Sequence, residues 1–319
     1  MSQDGHMATP VASAPLVPDV EVPAMRRAPP SAFQRAYRNT SVIIGGTIVL
    51  AMMLIGAFAP LLSSLSPTDI SPAARNKTPG FERMVRNDAG QQVKAVYHMG
   101  TDSLGRDVYS RVLYGARVSI FVGVTVAFMS VTVGLFIGLV SGYFRWVDPI
   151  VMRIMDGLMA IPAILLAIAL DSLFRAGLGA VIVAITVPEI PRVVRLVRSV
   201  VLSVREEPYV EAAITVGTPT YKLLWRHVLP NTLAPLIVQG TFICASAILI
   251  EATLSFLGIG IPPETPTWGN IMAEGRAVFR LFPHNILYPG IFLALTVLAV
   301  NMLGDGLRDT LDPKMAKRV

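Results

Sequence analysis

The sequence predicts an all-α, polytopic membrane protein with six transmembrane helices. Composition points there first: 53% of the 319 residues are hydrophobic and 15% are charged, with a mean hydropathy of +0.59. Soluble domains carry roughly 25% charged residues. The second observation is a series of six apolar runs, each near the ~20 residues that cross a bilayer core. The third is length. The chain is long enough for two soluble domains, but the apolar runs leave no room for a second one.

Residues 1–38 are rich in Ala, Pro, Ser and Val and carry Arg26, Arg27, Arg35 and Arg38. No apolar core precedes residue 40, so no cleavable signal peptide is predicted. The reading is a mostly disordered tail over residues 1–39. Its last part, residues 31–39, is open between a short interfacial helix and a flexible segment. Phe33 and Tyr37 there are spaced four apart beside Arg35 and Arg38.

A membrane domain follows over residues 40–319, with spans expected at 42–62, 118–142, 151–173, 178–198, 233–257 and 286–305. The fourth is interrupted in its last turns by Pro188, Glu189, Pro191 and Arg192. Pro162, Pro235 and Pro289 also fall in or near spans, where neighbouring helices can satisfy the freed carbonyls. The second span repeats a small residue every four positions, Gly134, Gly138 and Gly142, which lets a helix of this chain or of a partner approach closely.

Lysine and arginine set the expected orientation. With the loop 199–232 inside, both termini are inside as well, and sixteen of the 27 basic residues lie on that side. Eight of the remaining eleven fall between residues 63 and 117, a loop long enough to cross largely regardless of charge. The formal charge of +6 then needs only anionic lipid as its partner, not nucleic acid. Cys244 is the only cysteine, so no intrachain disulfide can form.

Within the loop 199–232, the stretch Arg205–Gln239 reads as two short helices joined at a glycine. Pro208 suits a first helical turn, and Gly217 suits the left-handed residue that ends that helix. Thr218 is placed to cap a second helix, which Pro219 starts. That helix would carry Leu223, Leu224, Trp225 and Val228 and stop before Pro230. Glu211-Ala212-Ala213, then Gly217, then Leu229-Pro230 resemble the cytoplasmic loop of binding-protein-dependent ABC importer permeases. The resemblance implies coupling helices that fit a groove on an ATPase subunit. The alternative for the same residues is an amphipathic connector on the membrane surface.

Two further segments are similar to the dipeptide and oligopeptide branch of that family. The loop 63–117 carries Gly100-Thr101-Asp102 and Gly105-Arg106-Asp107, followed by Gly115-Ala116-Arg117. Glycine turns and an Asp–Arg–Asp set would tie such a loop together through charge-assisted hydrogen bonds. The loop 258–285 follows Ser255-Phe256-Leu257-Gly258 and contains Pro266 and Trp268-Gly269, and Asn301–Pro313 resembles the branch's C-terminal stretch. The resemblance covers roughly residues 40–313. Upstream, the basic cluster that usually precedes the family's first span is thinner here, reduced to Arg35 and Arg38.

Four carboxylates fall inside or at the ends of spans, where each needs a partner or a wet cavity. Asp156 has Arg153 three residues before it, Asp171 has Arg175 four after it, and Glu189 neighbours Arg192. Glu251 has no cation nearby in sequence. It is open between lining a path and hydrogen bonding within the bundle.

No enzyme constellation is present. No Gly–Lys dipeptide occurs, so there is no phosphate-cradling Walker A loop. His6, His98, His227 and His284 are scattered, His227 is expected at a solvated helix position, and no metal site is predicted. The resemblance therefore implies a type I ABC importer transmembrane domain, the second permease subunit of a peptide-type system in the bacterial inner membrane. Its implied partners are a homologous permease, two ATPases that hold ATP and Mg, and an extracytoplasmic binding protein. This chain itself would bind no cofactor. The rival is a self-sufficient secondary transporter or channel, which six spans, mid-span prolines and membrane carboxylates would also suit.

Overall fold

The computed structural model describes residues 35–86, 92–173 and 177–311. The expectations for residues 1–30, Phe33 and Arg175 lie outside those residues. Apart from one two-stranded hairpin the regular elements among them are helices, and the first long one shows how sharply sequence sets a boundary. Asn39 accepts hydrogen bonds from the amides of Ser41 (2.9 Å) and Val42 (3.3 Å) and so starts helix α1, Thr40–Ala57. The first span was expected to run on to residue 62. Instead the chain kinks at Phe58 and resumes as the short α2, Ala59–Leu62. Pro60 explains this: it lacks an N–H, and its ring crowds the carbonyl of Gly56.

A small β-hairpin follows, in a chain whose described elements are otherwise helical as expected. β1 (Phe81–Arg86) pairs antiparallel with β2 (Gln92–Tyr97), Phe81 opposite Tyr97. The rings of that pair lie 5.9 Å apart, a cross-strand aromatic contact of the kind that stabilises small sheets.

Helix α3, Val108–Tyr143, is 36 residues long and begins ten residues before the expected span. Asp107 sets the start by accepting from the Ser110 amide at 2.8 Å. The third expected span is broken. α4 (Asp148–Ala160) and α5 (Ala163–Leu173) meet at a 92° bend. Ile161 is extended, as the residue before a proline tends to be, and Pro162 cannot continue the ladder. Neither arm, at ~20 Å or less, crosses a ~30 Å bilayer core alone.

Helix α6, Leu178–Arg205, runs straight through Pro188 and Pro191 for 28 residues. It packs on α3 where the glycine stripe predicts contact, and the contact is within this chain. A Cβ built on Gly134, Gly138 or Gly142 would lie 2.5, 2.6 or 2.7 Å from the Cβ of Val193, Val197 or Val201. The two backbones therefore approach as closely as glycine alone permits.

The hairpin helix α7 (Pro208–Thr215) leads to α8, Thr220–Phe256, and then to α9 (Trp268–Gly275) and α10 (His284–Leu311). Among the described residues, α1, α3, α8 and α10 are individually long and apolar enough to cross a membrane, and the bent α4–α5 pair would make a fifth. Six such spans are not found. The missing one is α6, which is long enough but carries Glu189, Arg192, Arg195 and Arg198. The buried apolar core joins α3, α6 and α8 through residues such as Val126, Val197 and Ile243.

Candidate functional site

Two regions at opposite ends of α3 hold the residues singled out by sequence. The first is the helical hairpin after α6. Pro208 opens α7, and Gly217 takes φ +83°, a left-handed conformation that favours glycine. The Thr218 amide donates to the Ala213 carbonyl at 3.0 Å and the Gly217 amide to Ile214 at 2.9 Å, the paired bonds that close a helix on such a residue.

The second helix departs from expectation in two ways. Thr218 does not cap it: Pro219, extended, precedes Thr220, and no side chain caps the helix. Nor does it stop before Pro230. It passes through one π-helical turn, Leu224–Val228, and continues into the membrane as α8. The wider turn gives the proline ring room beside the preceding carbonyls, which an α turn would deny.

The hairpin has two unlike faces. Val210, Leu223 and Val228 are fully buried and root it in the core beside Val201 and Val204. Arg205 ties its base to α3, donating to the Tyr143 carbonyl at 3.2 Å. Asn231 ties its two arms, donating to the Tyr209 hydroxyl at 3.1 Å and the His227 carbonyl at 2.6 Å. His227 is thus half-buried rather than solvated. On the other face Tyr209, Ile214, Val216, Tyr221 and Trp225 are exposed, Val216 to 85%. Glu211 and Ala212 are exposed beside them, as is Pro230, while Ala213 and Leu229 are half-buried.

The second region is assembled at the start of α3. Gly100 and Gly105 both have positive φ, and Thr101 bridges to Asp107 as a short β pair. Asp102 is the hub. One carboxylate oxygen accepts the amides of Leu104 and Arg106, each at 2.9 Å, and the other accepts Arg106 Nε at 2.7 Å. Arg106 also pairs with Glu274 of α9, and Arg111 reaches Asp102 at 3.5 Å and Glu274 at 3.4 Å. Asp102, Arg106 and Arg111 are all 5% exposed or less. Burial pushes the Glu274 carboxyl above its ordinary range, partly offset by Arg111 and Arg106.

Sequence reading missed Arg111 and Glu274. Arg111 lies four residues after Asp107 in a polar run, a weak signal. Glu274 is 168 residues from Arg106, with none. The two loops, read separately from sequence, form one structure. Trp268 is fully buried and donates its indole N–H to the Val112 carbonyl at 3.1 Å. Thr267 and Asn270 cap α9 reciprocally, at 3.2 and 3.0 Å. Gly269 lies so close to α8 that a Cβ would come within 2.6 Å of the Ala252 carbonyl.

The membrane carboxylates resolve individually. Asp156 pairs not with Arg153 but with Arg195 of α6, because α4 folds back along that helix. Asp148 and Arg198 make a second, two-pronged bridge between the same helices. Glu189 is fully buried and accepts Arg192 at 2.9 Å, as expected. Asp171 is buried, with one oxygen unpaired among the described residues. Glu251 is fully buried between α3 and α8, accepting from Ser119 at 3.2 Å and Ser255 at 2.9 Å. Through Ser119 it joins α3 to α8.

Comparison with known proteins adds the following. The family described as binding-protein-dependent transport system inner membrane component matches residues 130–317. The family described as N-terminal TM domain of oligopeptide transport permease C matches residues 31–79. A probable peptide ABC transporter permease of Sinorhizobium fredii is 50% identical over 283 residues, 89% of this chain and 92% of that one. A dipeptide transport system permease of Alkalihalophilus pseudofirmus is 40% identical over 89% of both chains, and a glutathione transport system permease of Pectobacterium atrosepticum is 36% identical over 96% of both. An inward-facing structure of the MetNI methionine ABC transporter superposes with a TM-score of 0.53 at 18% identity, covering 63% of this chain and 96% of that one, a likeness of fold.

Proposed function

Because this chain belongs to the family of binding-protein-dependent transport system inner membrane components, as a multi-pass transmembrane subunit of an ABC importer, we propose that it forms half of a path for peptides or similar small solutes and is driven through the hairpin of residues 205–230. The single observation behind the coupling role is the hairpin's two-faced construction. Apolar side chains exposed together at a polar surface are costly unless a partner covers them. Here five of them are exposed on the same hairpin as Glu211, a carboxylate with no ion pair among the described residues.

In this reading Glu211, Ala212, Ala213 and Gly217 seat the hairpin in an ATPase groove, and Leu229 and Pro230 join it stiffly to α8. The continuous helix through the π turn makes that joint a lever. The ATPases hold ATP and Mg and do the hydrolysis, while this chain binds neither. A homologous permease supplies the other half of the path, and a binding protein delivers solute to the end bearing Asp102 and Arg106. Both termini are then cytoplasmic. The relatives named for peptide, dipeptide and glutathione transport favour short peptides and peptide-like solutes.

Copurification tests the reading. Affinity-tagged chain expressed with its operon should bring down ATPase subunits in stoichiometric amount, and Trp225→Glu together with Glu211→Ala should release them without loss of membrane expression. Undiminished recovery with the double variant would count against the hairpin as the docking surface. Transport by the chain alone, with no ATPase present, would establish the secondary-transporter alternative instead.

A further inference from the structure

The base of the helical hairpin carries a clasp that the docking face does not account for. Asn231, one residue past Pro230, donates its side-chain amide twice. One bond goes to the His227 carbonyl at 2.6 Å, on its own arm, and the other to the Tyr209 hydroxyl at 3.1 Å, on the opposite arm. Chemistry fixes the amide's orientation: a carbonyl only accepts, so the nitrogen must face it. The rings of Tyr209 and His227 lie 6.2 Å apart beside it. We propose that Asn231 is a positioning residue for coupling. It locks the two arms and the first turns of α8 into one body, so that a pull on the hairpin moves α8 instead of opening the hairpin. This rests on the coupling role proposed above.

The lock sits where the backbone gives least support. Pro230 brings no N–H to the helical ladder, and the π turn Leu224–Val228 widens the helix just before it. Beyond that point α8 has room beside it. From Pro230 to Phe242 it borders a groove of about 730 Å³, shared with Leu196 of α6 and with Arg308 and Leu311 of α10. At the far end of the groove α10 comes against α8, where Gly304 faces Thr241. Pro235, within the same stretch, withholds a second ladder bond. The hairpin end of α8 thus has open volume to swing into and a contact to swing about. A swinging end transmits a push only if the part that is pushed does not yield first. Asn231 bridges the place where it would yield.

Pulsed electron resonance on the complex with its ATPases, in lipid nanodiscs, tests the clasp. Spin labels at Leu233→Cys of α8 and Arg308→Cys of α10, in a Cys244→Ala background, report the distance across the groove. ATP with vanadate, which traps the ATPases closed, should shift that distance in the parent. Asn231→Leu keeps the outline of the side chain without its donors. It should cut the shifted population about fivefold, equivalent to about 1 kcal/mol and so to the order of one hydrogen bond. The ATPases should stay bound and hydrolyse ATP. Asn231→Ala should do the same, and Tyr209→Phe added to it should lower the population no further, because the bond is already gone. An unshifted distance in the parent, a parent-like population in Asn231→Leu, release of the ATPases by that variant, or a second full fall on adding Tyr209→Phe would each overturn the proposal. The docking reading fails by a different sign, ATPases recovered undiminished with Trp225→Glu and Glu211→Ala together, and that result would remove the clasp's role as well.

Discussion

The two ends of α3 carry motifs of similar length but opposite construction. At its start, Asp102, Arg106, Arg111 and Glu274 form a charged cluster closed within the chain and largely removed from water. At its far end, the hairpin leaves Tyr209, Ile214, Val216, Tyr221 and Trp225 in the open. Charged groups are the ones expected at a surface and apolar groups the ones expected inside, so each end inverts the rule. The inversion has a different meaning at each. Buried ion pairs hold a unique geometry and need nothing further, whereas exposed apolar groups await a surface from elsewhere. The charged end is finished by folding. In the docking proposed above, the apolar end is completed by assembly.

Substitutions should separate the two accordingly, and the largest effect is expected in the cluster. Arg106→Ala removes one of the two guanidinium partners of both Asp102 and Glu274, leaving Arg111 to serve them alone, and removing one partner of a buried pair costs up to about 3–5 kcal/mol. Thermal unfolding of the purified complex should fall by several degrees, and stimulation of ATPase activity by loaded binding protein should drop while basal activity persists. A normal response would mean that the cluster takes no part in communication along the chain.

Next in size is the membrane seam that connects the two ends. Gly138→Leu drives a side chain into Val197, where even a Cβ would come within 2.6 Å. Overpacking of this kind costs typically about 1–3 kcal/mol. A thermal midpoint unchanged from the parent would place Gly138 against lipid instead.

Gly217→Val probes the hairpin. A β-branched residue at φ +83° is strained by about 1–3 kcal/mol, yet a Cβ there meets no atom within 4 Å. The strain falls on an exposed turn, so global stability should change little while substrate-stimulated ATPase activity falls. Full coupling in this variant would show that the turn's shape is not what the partner reads.

The smallest effect concerns pH. Burial raises the Glu274 carboxyl above 4.5, against the opposing pull of Arg111 and Arg106. Its folded state thus holds the proton more tightly than its unfolded state. The sign follows: this group favours folding in acid, and that contribution is lost as pH rises through the raised value. Glu274→Gln should flatten the pH dependence of thermal stability in that window, and a slope equal to the parent's would mean Glu274 titrates normally.

Much of this was legible in the chain itself. Hydropathy located the membrane stretches of α1, α3, α8 and α10, because a bilayer-length apolar run has few other places to go, but not the polar turns by which α3 and α8 begin ten and thirteen residues earlier. Pro208 and Gly217 marked the hairpin's start and reversal, and the four-residue glycine period marked the face of α3 that meets α6. In each case the information is steric and confined to neighbours along one helix. Other features depended on segments far apart in the chain. Asp156 chose Arg195 over Arg153, Arg106 found Glu274 on a helix 168 residues away, and Trp268 delivered its N–H to Val112. The π turn that carries the hairpin into α8 belongs with these, since Pro230 alone signals a stop. Sequence supplies charge and shape residue by residue. Which charges meet is decided only once packing has set the helices' rotation and depth, because an ion pair is specified by a few ångströms that no local pattern records.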